Sequence, residues 1–489
     1  MTQHDTASEE APPSSFAQVS FGLRILVLVT ILFMGLKIIR YGYLPAGDVR
    51  RDAAQAISGK AFTDVLVLFP GYKMDHNPGW DWFLRQMHLK AGLTEDGLVA
   101  FSIVVLLFWL LCVALPWLRC PEAWLAALLA FSLAMPGMMV RFTQARPFLL
   151  VEGVLIALLL EWRNGKNPSW GKILLTCAGI TLAVWMHGTW FMWVLLPAAF
   201  FLAGQWRAGF SLALCWVAGT MFGALLTGRP FEFLRQSILI AMTVLREHAP
   251  ETFTVGEVQS SAGVFVALLV LALMFIWRRG RSDELFRSPL FWMMVVSWLL
   301  GLNAARFWDD WGLPAALVWL ALQFEEVIVA SWAALPGRRV VVGIVLALAL
   351  FRVTTSDLEG RYTNSLREPM VDGADPALQG WMPDKGGIFY SADMTFFYNT
   401  FYKNPNGDWR YIVGFEPAWM PPDDLKILRQ IQWNHFAWEA YQPWARKMRP
   451  QDRLEISSLA RPFLPPLEWI SAGDGLWIGR LPKGPPAKP

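Results

Sequence analysis

The residues best suited to chemistry are concentrated between Gly47 and Leu93, a stretch that opens as GDVRRD and later reads GYKMDHNPGWDWFLRQMH. It carries four carboxylates (Asp48, Asp52, Asp75 and Asp81) and two histidines (His76 and His88) among arginines and aromatic residues. Carboxylates and imidazoles can accept or return a proton, and guanidinium groups grip phosphate through paired hydrogen bonds. Asp48 and Asp52, one helical turn apart, are the candidate general bases. Asp48 also has a plainer reading, as an ion-pair partner of Arg50 or Arg51 or as the cap of a helix starting at Val49. Three later segments add to the set: RFTQARP brings Arg141 and Arg146, WMHGTW brings His187, and NAARFWDDWGLP brings Arg306 beside Asp309 and Asp310. Arg141, Arg146 and Arg306 are candidate phosphate ligands, because guanidinium sits well at headgroup depth. The plainer readings are snorkelling side chains for the first two and an i,i+3 pair with Asp309 for the third. His76, in a turn-forming Asn-Pro-Gly context, and His187, at the end of an apolar run, are candidate substrate contacts, with a turn and a packing histidine as their rivals.

The elements that must position these residues are set by composition. The chain has 489 residues, 55% of them hydrophobic and only 17% charged, with a mean hydropathy of +0.37. A soluble domain carries nearer a quarter charged residues, so the expected class is a mainly α, polytopic membrane protein. Apolar windows of about 17 to 22 residues predict about eleven transmembrane helices, near 21–41, 97–117, 122–140, 147–162, 171–187, 190–205, 209–227, 262–277, 288–303, 312–330 and 338–352. Residues 1–20 lack a basic region and a cleavage site and read as a retained cytoplasmic tail. Basic residues in the short loops, among them Arg119, Arg163, Lys166, Arg207, Arg278, Arg279, Arg281, Arg338 and Arg339, then mark the cytoplasmic side,. That orientation places the 47–93 loop, Arg141 to Pro147, His187, the 228–261 loop, Arg306 and everything after Thr354 on one external face, with the basic loops as ordinary anchors.

Residues 354–489 change character, being polar and rich in Pro and Trp with no bilayer-length run. A small external α/β domain is expected there. GGIFYSA reads as a buried strand, MTFFYNTFY as an aromatic helix or strand, PPDDLKILRQI as a helix, and LEWISAGDGLWIGRL as a hairpin about Gly473 to Gly475. The net charge of +3 is small and dispersed, which argues against a nucleic-acid partner. The four cysteines show no metal or disulfide spacing and read as packing residues.

An acidic residue in a long external loop after the first span, an HxP-like element before the second, an ARPF-like turn opening a span followed by a span ending in His, a later Arg-Phe turn and a C-terminal external domain together resemble the GT-C superfamily of polytopic glycosyltransferases. The resemblance is one of architecture over nearly the whole chain, carried by short motifs. It implies a transmembrane domain over 21–352, a polyprenyl-phosphate-linked sugar as donor, an external glycan, lipid or protein as acceptor, and a catalytic carboxylate in the first external loop at Asp48 or Asp52. The loop opens on a lone GDVRRD where the commonest forms have paired acids, so metal dependence stays unknown. Asp309 with Asp310 is a weak divalent-ion signal. Trp80, Trp82, Trp308 and Trp311 flank the charged turns, where an aromatic face could stack on a sugar. The rival classes are a transporter or flippase for a lipid-linked precursor and a non-catalytic membrane scaffold in envelope assembly. Against the transporter stands the scarcity of mid-span charge, Glu152 and the edge pair Glu325 and Glu326 apart.

Overall fold

A computed structural model describes residues 14–72, 76–163, 165, 168–246, 269, 272, 273, 276, 282–332, 334–414 and 416–482. Asp75, Lys166, most of the expected span 262–277, Arg278, Arg279, Arg281 and the terminus from Lys483 fall outside these residues. The chain is mainly helical. Among the described residues four helices are long and apolar enough to cross a membrane: Ser15–Arg40, Glu95–Trp117, Trp206–Leu226 and Ala305–Trp332. The expected span 122–140 is broken, with Pro121–Ala134 and Pro136–Thr143 meeting at 109°. Pro136 explains the break, since it clashes with the preceding turn and cannot donate a backbone hydrogen bond. The remaining expected positions, 262–277 apart, carry shorter apolar helices, such as Phe148–Trp162 (15 residues) and Pro289–Gly301 (13 residues), or, at Pro336–Thr355, a helix of full length that includes Arg338, Arg339 and Arg352. Sequence windows count these as spans, whereas among the described residues four helices, or five with the bent pair, have the length and apolar composition to cross a membrane.

The first loop is itself helical. Asp48–Ser58 buries Arg50 completely, and the Arg50 guanidinium donates to Glu368 Oε2 at 2.6 Å and also to Asn399 and the Leu44 carbonyl. Pro78–Ala91 follows, with proline at its first position, where a missing N–H costs nothing,. Between them the short apolar run leaves the membrane half altogether. Leu66 bridges Tyr411 in parallel, Val67 N donates to Tyr411 O at 2.9 Å, and Phe69 N donates to Trp419 O at 2.8 Å. Phe62, Val65, Leu66 and Tyr72 therefore share one apolar core with Phe389, Phe397, Phe401 and Tyr411 of the C-terminal part.

That part is an α/β domain. Five strands, β1 (Ile388–Tyr390), β2 (Arg410–Tyr411), β3 (Arg453–Ser457), β4 (Glu468–Ser471) and β5 (Leu476–Arg480), form a mixed sheet in the order β2-β1-β3-β5-β4. β1 runs parallel to both neighbours, while β4 and β5 form the expected antiparallel hairpin. Its turn needs three consecutive left-handed residues, Gly473 (φ 91°), Asp474 (φ 46°) and Gly475 (φ 78°), and glycine occupies two of them without steric cost. MTFFYNTFY is a helix, Met394–Lys403, capped by Asp393, and PPDDLKILRQI supplies the helix Pro422–Trp433.

Within this domain Glu455 on β3 is buried and accepts hydrogen bonds from Ser391 Oγ (2.7 Å) and Ser457 Oγ (2.8 Å). Burial outweighs those two bonds and pushes its carboxyl up from 4.5 to about 7, with Asp393 acting in the same direction. The native state thus holds a proton that the unfolded chain releases near pH 4.5, so stability is full below that value and falls as pH rises to about 7. The loss is on the order of 3 kcal/mol. Glu455→Gln should flatten this slope and melt higher than wild type at pH 8. Equal melting temperatures at pH 8 with parallel pH profiles would show that Glu455 does not titrate in this range.

At the other end of the first helix from Asp48 lies a second buried charge cluster. Arg339 bonds Glu122 Oε1 at 2.5 Å and Ser20 Oγ at 3.0 Å, and neither Arg339 nor Glu122 is exposed. Arg119 N and Cys120 N donate to Glu325 Oε2 at 2.5 and 3.0 Å. Arg339 is therefore not the solvated anchor that its place in a short basic loop suggests.

Candidate functional site

Between the membrane half and the α/β domain is a cavity of about 690 Å³. Asp48, Arg51, His76, Arg146, His187 and Arg306 line its membrane side, and Asp393, Tyr398, Glu416 and Arg429 line the side made by the C-terminal domain. Five of the seven candidate residues, distant in sequence, thus face one space.

Asp48 is the first residue of its helix, and the cap position is held by Gly47 at φ 101°, so the carboxylate is not spent as a cap. It lies 3.1 Å from Arg51 Nη1 and 3.7 Å from Arg146 Nε. Burial raises the Asp48 carboxyl, but Arg51, Arg146, Arg306 and His76 together outweigh it and hold the group below the usual carboxylate range. Asp48 is accordingly ionised at neutral pH. Asp52 is completely buried behind it, and its Oδ1 takes hydrogen bonds from Arg51 Nε (2.9 Å) and Nη2 (2.6 Å). It does not line the cavity; its carboxylate orients Arg51, which presents its remaining nitrogen to Asp48.

Arg146 follows Ala145, which sits at φ 55°, an unfavourable left-handed conformation for a residue with a Cβ. This sharp corner between Pro136–Thr143 and Phe148–Trp162 turns the arginine into the cavity. Arg306 lies against Phe148, its guanidinium 5.7 Å from the ring centroid, and donates from Nε to Asp310 Oδ2 at 3.0 Å. The pairing is with Asp310 at i+4, not Asp309 at i+3. Arg141 bonds Asp310 and lies 4.0 Å from Asp309, outside the cavity wall. Its role is to hold the acidic turn that carries Arg306.

His187 Nδ1 is 3.2 Å from Thr189 Oγ1, and Nε2 is 3.5 Å from Arg306 Nη2. Its ring meets His76 edge-on at 4.6 Å between centroids and Phe148 at 5.0 Å. Gly188 makes this contact possible: its N–H donates to His76 O at 2.8 Å, and a Cβ there would lie 2.9 Å from His76 Nδ1.

Trp80, Trp308 and Trp311 are buried and Trp82 is exposed; of the four, Trp311 alone reaches the cavity, on the wall beside Trp193 (5.3 Å between ring centroids). Among the described residues there is no cluster of three His, Cys, Asp or Glu side chains placed to hold a metal ion. Sequence reasoning named Arg51 only as an ion-pair partner and Asp310 only as half of a weak metal signal, and did not single out Gln144, Tyr398 or Glu416, yet all five line the cavity. The i+3 spacing of Arg51 to Asp48 already marked it as the partner of that carboxylate. Tyr398 lay inside MTFFYNTFY, read as an aromatic helix or strand, and Glu416 carries no signal beyond its charge.

No protein-family model matches the chain. No curated protein matches it either.

Proposed function

We propose that the protein is a membrane glycosyltransferase that moves a sugar from a polyprenyl-phosphate-linked donor to a glycan, lipid or protein acceptor on the external, periplasmic face of a cell inner membrane. The observation that supports this reading most directly is the convergence of Asp48, Arg146, Arg306, His76 and His187 on one cavity beside apolar helices. Sugar transfer from phosphate to a hydroxyl needs a proton acceptor and positive charge for the leaving group, and both are present. In the proposed step the acceptor O–H bond breaks and its proton passes to the Asp48 carboxylate. The acceptor oxygen bonds to the anomeric carbon with inversion, and the anomeric carbon–oxygen bond to phosphate breaks, leaving polyprenyl phosphate between Arg146 and Arg306. The depressed affinity of Asp48 for protons suits a site waiting for an anion. Bound phosphate offsets the charge of Arg146 and Arg306 and so raises the basicity of Asp48 when the donor is in place. The finer topology, about eleven spans with a cytoplasmic N-terminus, belongs to the same proposal.

The test is transfer of labelled sugar from a polyprenyl-phosphate donor by the purified full-length protein, compared with its Asp48→Asn variant. Donor movement across a vesicle bilayer with no product would favour the flippase reading instead. Arg146→Ala should weaken donor binding by about 10-fold, the scale of one charge-assisted hydrogen bond. Unchanged donor affinity would reduce Arg146 to a structural partner of Asp48.

A further inference from the structure

Tyr398 stands out on the cavity wall contributed by the C-terminal domain. It lies on the helix Met394–Lys403, several of whose neighbouring side chains are committed elsewhere: Phe397 and Phe401 pack against Tyr411 in the domain core, Asn399 holds Arg50, and Tyr402 bonds Asp96. The Tyr398 ring packs against Phe397 with centroids 5.4 Å apart, and the residue is only 8% exposed. Among the described residues its hydroxyl has no hydrogen-bond partner, although it faces the cavity. A hydroxyl that opens onto the cavity with no protein partner is free to donate to a ligand bound there,.

Its surroundings select the ligand. Burial raises the phenol well above its usual range and Asp48 adds to this, while Arg51 and Arg146 act against it. The hydroxyl therefore stays protonated and can donate. The neighbouring cations, Arg51 and Arg146, favour an anionic acceptor over a sugar hydroxyl. We infer that Tyr398 is a further ligand-contacting residue, whose hydroxyl donates to an oxygen of a lipid-borne phosphate held by Arg146, so that the C-terminal domain closes the phosphate cradle from the side opposite the membrane helices. This rests on the reading that the cavity accepts a lipid phosphate, though not on sugar transfer itself.

The test uses the full-length protein in detergent with farnesyl phosphate, inorganic phosphate and farnesol as probes. Tyr398→Phe keeps the ring and removes one oxygen atom. The expected result is an approximately 10-fold weaker affinity for farnesyl phosphate, no change with farnesol, and a ligand-free melting temperature equal to or above wild type, because no internal hydrogen bond is lost. Equal farnesyl phosphate binding by both proteins overturns the inference and leaves the transferase reading standing. A loss confined to inorganic phosphate overturns the lipid assignment. A lowered melting temperature with unchanged affinity marks a structural tyrosine and overturns the inference too. Absence of farnesyl phosphate binding by the wild type overturns this inference and the lipid-phosphate reading together, whereas failure of the transferase reading alone appears as normal binding without product.

Discussion

Asp48→Asn should lower sugar transfer by about 100-fold or more, the usual scale for loss of a general base, while leaving the protein folded. Asparagine matches the shape of the carboxylate but cannot accept the acceptor proton. Structural damage is limited for two reasons visible in the site. Arg51 keeps its bonds to the buried Asp52 at 2.6 and 2.9 Å, so its charge remains compensated, and the helix loses no cap because Gly47 holds that position. If Asp48 merely paired with Arg51 and Arg146, the variant would lose roughly 1 kcal/mol of stability at most, as expected for a partly solvated ion pair, and keep its turnover. Transfer assays with melting temperatures measured in parallel separate the two. Full activity in Asp48→Asn removes the proposed base. It does not hand the role to Asp52 unchanged, because Asp52 is enclosed behind Arg51 and reaches the cavity only through it. Asp52→Asn should instead act indirectly, by loosening Arg51.

The parts of this site that were legible in the sequence are those where residue type and chemistry coincide. A carboxylate opening a polar loop, and arginines and histidines at the ends of apolar runs, can be found without coordinates, because charge near a bilayer is costly unless it has a use. The strands and helices of the C-terminal domain were legible for the ordinary reason that period and turn chemistry agree. What was not legible depends on tertiary partners. No local pattern says that Leu66 and Val67 leave the first loop to pair with Tyr411, or that Asn399 reaches Arg50. For the same reason Tyr398 looked like one aromatic residue among several. Hydropathy windows also count more spans than helix length supports among the described residues. They register composition, so the short helices Phe148–Trp162 and Pro289–Gly301 score alongside Glu95–Trp117, although length separates them.

Arg339 shows the same limit at the opposite end of the molecule, and it carries the largest expected effect on stability. Arg339→Ala should destabilise the protein by about 3 to 5 kcal/mol, because it strands the Glu122 carboxylate without its partner in a fully buried setting,. The cost comes from the stranded charge and not from the value of the pair, so the double variant Arg339→Met with Glu122→Leu should recover most of the stability. Breaking a buried pair is expensive, while replacing both partners by packed apolar groups is often neutral. The cluster ties Ser20 in the first helix to Glu122 and Arg339 in two others, and Asp48 follows the far end of that first helix. Transfer per folded molecule should therefore match wild type in the double variant. Melting temperature and turnover together decide the matter. An Arg339→Ala protein that melts like wild type would show that Glu122 is neutral or solvated. A double variant that is stable but inactive would show that the two ends of the membrane domain are coupled, and that the basic loop has a role beyond holding helices together.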